Sequence, residues 1–94
     1  MKIEFLPKAQ QELVEAVEFY EKQLDGLGVL FYEEVSEALD LIRLFPEGWQ
    51  MITRLTRKYC LHKFPYMILY GIINDVIVIS SIAHQRRRPK SYLR

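Results

Sequence analysis

The sequence predicts an α+β domain: a short N-terminal strand, an antiparallel helical hairpin packed on a small antiparallel β-sheet, and a basic tail. Three observations carry this reading. Apolar residues recur at spacings of three and four from Ala9 to Phe45, with a break around Gly26 and Gly28. Two runs rich in Ile, Val and Tyr, YMILYGII (66–73) and VIVISSIA (76–83), flank Asn74-Asp75. The last eleven residues, HQRRRPKSYLR, hold five cations and no acid.

The elements follow in chain order. In KIEFL (2–6), Ile3 and Phe5 share a face, which predicts a strand. Pro7 suits the first turn of a helix, where its missing N–H is not needed. Ala9, Leu13, Ala16, Val17, Tyr20 and Leu24 then form an apolar stripe, with Glu12, Glu15, Glu18 and Lys22 at other angles. Gly26 is expected to end this helix, and Leu27-Gly28 to form the link. A second helix is expected over 29–44, with Phe31, Val35, Ala38, Leu39, Ile42 and Phe45 inward. Glu33, Glu34, Glu37 and Asp40 give it an acidic, solvated face. Pro46 and Gly48 stop it. So short a link makes the helices antiparallel neighbours. Residues 50–64 (QMITRLTRKYCLHKF) read as one or two strands, and Pro65 closes them. Asn74-Asp75 reads as a two-residue hairpin turn between the two strong strands.

Those two strands are apolar on both faces. Ile68, Tyr70 and Ile72 point one way, Met67, Leu69 and Ile73 the other. Two helices cover one face, so the tail, a second copy or another chain is needed for part of the other.

At 94 residues, half of them hydrophobic, the chain reads as a single domain spanning 1–94. Cys60 is the lone cysteine, so no intrachain disulfide forms, and a semi-buried structural thiol is expected there. The longest apolar run, near 76–83, is well short of the ~20 residues of a membrane span. The N-terminus lacks signal-peptide character. The expected location is the cytoplasm, with no membrane contact. No metal-ligand spacing and no phosphate-binding loop occur, and no cofactor is expected. The net charge of +1 hides a split. Residues 1–50 carry four bases against eleven acids, a balance of −7; residues 51–94 carry nine bases against Asp75 alone, a balance of +8. The bases fall in two clusters, Arg54, Arg57, Lys58 and Lys63 before the strong strands and Arg86, Arg87, Arg88, Lys90 and Arg94 after them. An antiparallel sheet is expected to bring them alongside each other as one basic surface. His84, directly after the last strand, stands where a proton-transfer or phosphate-contact residue would be useful.

EAVEFYEKQLDGLGVLFYEEV, LFPEGW, HKFPYMILYGIINDVIVISSIAHQRRRP and Tyr92, in this order and spacing, resemble the RelE/ParE superfamily of type II toxins, often labelled plasmid stabilisation proteins. The resemblance implies a protein that inhibits growth until a cognate antitoxin wraps it. It also implies a target: DNA gyrase for ParE-like members, ribosome-bound mRNA for the RelE-like endoribonucleases. In the RelE-like branch an arginine follows the leading tyrosine of the third strand and stabilises charge on the scissile phosphate. Here Met67 follows Tyr66. Arg86 and Tyr92 match the spacing of that branch's later arginine and tyrosine, and Lys58 can stand for a basic strand residue. The candidate catalytic set for a nuclease is therefore Lys58, His84, Arg86 and Tyr92. The candidate target-binding set is Arg57, Lys58, Arg86, Arg87, Arg88 and Tyr92, of which the arginines are expected to serve binding more than folding. The missing arginine and the long hairpin favour the ParE side, without catalysis. A member that only binds its antitoxin is the third reading, and a homodimer or larger toxin–antitoxin assembly is compatible with all three.

Overall fold

The computed structural model describes residues 1–86. Its elements are β1 (Lys2–Phe5), α1 (Pro7–Gln23), α2 (Leu27–Leu44), β2 (Arg57–Cys60), β3 (Tyr66–Ile73) and β4 (Val76–His84). The four strands form one sheet in the order β1-β4-β3-β2. β2, β3 and β4 are antiparallel neighbours, as expected. The N-terminal strand joins β4 in parallel, which makes the sheet mixed. Asn74 and Asp75 both take positive φ (50° and 63°), the twist of a tight hairpin, without glycine.

The helical hairpin lies on one face of the sheet. Ala9, Leu13 and Ala16 of α1 and Phe31, Val35, Ala38 and Ile42 of α2 pack with Ile68, Tyr70, Ile77, Ile79 and Ile82. Tyr20, Phe31, Phe64 and Tyr66 interlock there, with ring centroids 4.8–6.0 Å apart. Two members of the expected stripes stay outside: Leu24 caps the C-terminus of α1 and Phe45 that of α2, and both are exposed.

The link between the helices is Leu24–Gly26, and α2 begins at Leu27, earlier than the sequence suggested. The reason is Glu21. Its carboxylate accepts the N–H of Gly26 (2.8 Å) and of Gly28 (3.0 Å), so α1 supplies acceptors for the donors at the start of α2. Gly26 takes φ 90°. A Cβ on Gly28 would lie 2.5 Å from the Val17 carbonyl oxygen, so the helices meet backbone to backbone at that point.

Residues 50–64 hold one strand rather than two. Met51 makes a single bridge to Arg57, and Ile52 and Thr53 donate to the Thr56 carbonyl, closing a tight turn before β2. The turn lays Ile52 against Met67, Leu69 and Ala83 on the face opposite the helices. Part of the second apolar face is thus covered from within the chain.

Across the step Leu69/Tyr70 the register with β4 jumps from Ser81 to Ile79, so Ser80 is an extra residue. Glu12 of α1 seals this bulge. Its Oε1 accepts the Ser81 hydroxyl (2.8 Å) and the Ile82 N–H (3.0 Å). Glu12 is therefore no member of a solvated acidic face. Glu12→Ala leaves a buried hydroxyl and an N–H short of this acceptor and should cost about 1–3 kcal/mol. Glu12→Gln retains an acceptor and should cost less. Urea unfolding of the two variants checks the order.

Candidate functional site

Cross-strand partners share a face of the sheet, so the register places each candidate residue. Arg57 is opposite Tyr70 and lies on the helix face. Lys58 is opposite Leu69, on the other face with Met67 and Ala83. His84 is opposite Tyr66, on the helix face, at the far end of β3 from Arg57. Arg86 follows in the turn after β4. Arg87, Arg88 and Tyr92 lie outside the described residues. The strand order sets β3 between β2 and β4, so the cations of β2 do not flank the end of β4. The single basic surface expected from the sequence does not form among the described residues.

Arg57 has a different task. Its Nη1 donates to the carbonyls of Glu47 (3.0 Å) and Trp49 (2.9 Å). The fully buried Tyr70 donates its hydroxyl to the Pro46 carbonyl at 2.6 Å. Trp49 packs its indole edgewise on Tyr59, with centroids 4.7 Å apart. The segment LFPEGW is thus a turn held by side chains from β2 and β3. Sequence reading recorded the segment but had no signal for its partners, because they lie 8 to 24 residues away. Arg57 was expected to serve binding more than folding; the geometry makes it a structural guanidinium.

His84 accepts the Arg86 N–H through Nδ1 at 3.1 Å and meets the Tyr66 ring edgewise at 5.1 Å. Its neutral form then carries the proton on Nε2. Cys60 is exposed, not semi-buried, because β2 is an edge strand and Cys60 faces away from the helices opposite Met67. His62 is exposed in the loop after β2, where its N–H and that of Lys63 donate to the Glu34 carboxylate. Lys63 therefore sits beside an acid of α2, in the loop whose Pro65 carbonyl accepts the Gln85 N–H just after β4. Glu34, like Glu12, is a structural acceptor.

Met67 is buried, with Leu69, Ala83 and Ile52 around it. The position at which the nuclease branch holds its phosphate-clamping arginine is here apolar in residue and in surroundings. The Leu55 carbonyl lies over Gly71 on the same face, and beyond it, toward the 74–75 turn, the face is more open: Val78 is half-buried and Ile73 is exposed.

A family model for the ParE toxin of the type II toxin–antitoxin system parDE matches residues 3–89. The chain belongs to the ParE toxin family. It is similar in fold to a solved chain of the chromosomal ParDE system of P. aeruginosa, with a TM-score of 0.75 and 17% identity, covering 89% of this chain and 95% of that one. None of the curated proteins is a match in sequence. A ParE-like toxin of a type II system works against an antitoxin partner, as the sequence led us to expect. No helix among the described residues of this toxin is long and apolar enough to cross a membrane.

Arg57→Ala should destabilise the toxin by about 1–3 kcal/mol, because it strips charge-assisted bonds from two carbonyls. Arg86→Ala, at an exposed turn, should stay within about 0.5 kcal/mol of the parent. Thermal or urea unfolding separates the two. Burial raises the phenol pKa of Tyr20, Tyr59 and Tyr70, and Arg57 partly offsets the rise at Tyr70. Each folded phenol stays protonated where its unfolded form ionises. Stability should be intact below the ordinary value of 10.0 and fall as pH rises past it. Unfolding curves across that range check the sign.

Proposed function

We propose that this toxin inhibits growth by acting on DNA gyrase in the cytoplasm, without nuclease chemistry. Met67 carries the proposal. RNA cleavage needs cations preorganised for the charge that develops on the phosphate, and loss of one such donor costs about a hundred- to a thousandfold in rate. A thioether provides no charge, and Leu69, Ala83 and Ile52 packed around it are apolar; Lys58 shares this face but lies on β2, opposite Leu69 rather than opposite Met67. The other nuclease candidates support the same reading. Lys58 and His84 sit on opposite faces of the sheet, an arrangement that does not converge on one phosphate.

The antitoxin is proposed to be a short segment that orders on binding, seated on the sheet face turned away from the helices. Ile73 and Val78 offer it an apolar strip, and Lys58 a cation. Arg86, Arg87, Arg88 and Tyr92 remain the proposed target contacts.

Expression of the toxin alone should produce DNA breaks and a damage response while messages stay intact. Co-expression with the antitoxin should abolish both. DNA integrity, translation and message integrity are followed in parallel after induction. Early, codon-phased message cleavage that vanishes on Arg86→Ala would place the toxin among the nucleases. Undisturbed growth would mark a member that only binds its antitoxin.

A further inference from the structure

β3 runs on past the strand beside it. β2 starts at Arg57, opposite Tyr70, whereas β3 continues to Ile73. Ile73 and Val76 flank the two-residue turn and bond to each other, so the N–H and C=O of Ile72 point the other way, toward the β2 side. The Leu61 N–H on the Tyr66 carbonyl fixes the same parity: residues 66, 68, 70 and 72 turn their backbone groups to that side. Before Arg57 the chain folds over the sheet, and the Leu55 carbonyl comes to lie over Gly71. No strand therefore lies beside Ile72, and its N–H and C=O meet no partner among the described residues.

This piece of open edge borders a cavity of about 280 Å³, lined by Glu47, Met51, Arg54, Leu55, Arg57 and Ile72 among others. Arg57 is half-buried there. Its Nη1 is taken by the carbonyls of Glu47 and Trp49, which are neutral groups. Neither Arg57 nor Arg54 forms an ion pair among the described residues. A half-buried guanidinium bonded only to carbonyls keeps its full charge, and a carboxylate is the partner that fits its remaining N–H groups. Glu47 is the one acid among the lining residues, and it meets Arg57 through its carbonyl rather than its carboxylate.

We propose that this cavity takes an extended acidic segment of a partner protein. One residue of the segment pairs with Ile72 through both backbone bonds and turns its carboxylate to Arg57 and Arg54. The geometry sets the pattern of the occupant. A residue opposite Ile72 shares the face of Ile72, which is also the face of Tyr70 and Arg57. Its two neighbours turn to the other face, where Ile73 and Leu55 are exposed, so apolar residues suit them. The expected motif is an acid between two apolar residues. The cavity falls just short of the about 300–1,000 Å³ usual for small-molecule sites, which suits a few peptide residues. Two arginines alone would serve a nucleic-acid phosphate equally well. The Ile72 carbonyl decides for a peptide, because it needs a donor that a phosphate lacks. The inference holds whichever target the toxin has.

An amide NMR titration of the full toxin at low salt tests it, with the capped peptide acetyl-Thr-Val-Glu-Val-Thr-amide as probe. The Ile72 amide and the Arg57 Nε–H should shift and saturate together. The Cys60 amide, on the outer edge of β2, should stay still. A peptide with Gln in place of Glu should bind about tenfold more weakly, having lost the charge from its bonds to the guanidinium groups. Arg54→Ala should weaken the Glu peptide, and Glu47→Gln should tighten it about twofold by removing a like charge. Both residues are exposed, so neither change threatens the fold. Equal binding of the Glu and Gln peptides would overturn the proposal, as would shifts centred on Cys60. A short single-stranded DNA that moves Ile72 as far as the Glu peptide does would overturn it in favour of a phosphate site. So would no saturable shift by about 5 mM, beyond the millimolar affinity expected of one short contact.

Discussion

The extra residue at Ser80 determines where the rest of β4 points. Before it, Ile77 and Ile79 face the helices; after it, Ile82 and His84 do, and Ala83 faces away. Side chains alternate strictly along a strand, so without the bulge Ile82 and His84 would turn to the opposite face. The bulge also leaves the Ile82 N–H on an edge that β1 no longer covers. Glu12 takes that donor and so anchors α1 at a fixed height over the sheet. The edgewise meeting of His84 with Tyr66 and the direction in which the chain leaves the sheet both follow from this one irregularity.

Among the described residues, two other helix carboxylates share the role of Glu12 as acceptors for backbone N–H groups. Glu21 holds the start of α2, and Glu34 holds the loop after β2. Each turns an acid of the −7 half into an acceptor for N–H groups that no strand or helix satisfies. The periodicity of α1 and α2 made their buried stripes legible, and Ala9, Leu13, Ala16, Phe31, Val35, Ala38 and Ile42 are buried as read. It could not reveal these carboxylates. An acid at a polar angle looks the same whether it meets water or an amide 70 residues away, as Glu12 meets Ile82. For the same reason the link between the helices was placed too late: glycines marked it, but the capping carboxylate comes from the preceding helix.

The site was legible in one residue and obscured in several. Met67 stands out from its place after Tyr66, and the fold adds that its surroundings are apolar too. The place of the β2 cations is hidden in the sequence because strand order is not written in local pattern. A chain that reads strand, strand, strand leaves open which strand lies at the edge. With β3 between β2 and β4, the basic residues of β2 are parted from the end of β4, and Arg57 turns inward to carbonyls. Cys60 is exposed by the same edge position.

The second face of the sheet constrains what an antitoxin must look like. Its Met67 end is covered by Ile52, and its hairpin end, at Ile73 and Val78, is open. Arg86 stands beyond the other end of β4. The nine residues of β4 span about 30 Å at ~3.3 Å each. A partner that covers the open apolar strip and also neutralises the cations after β4 must therefore run the length of the strand. A compact domain of matching reach would need a large preformed surface. An extended segment of about nine residues suffices, and the two-residue period of its side chains would match the sheet below it. The separation of apolar strip from charge thus favours a chain that orders on the toxin over one that docks as a rigid body.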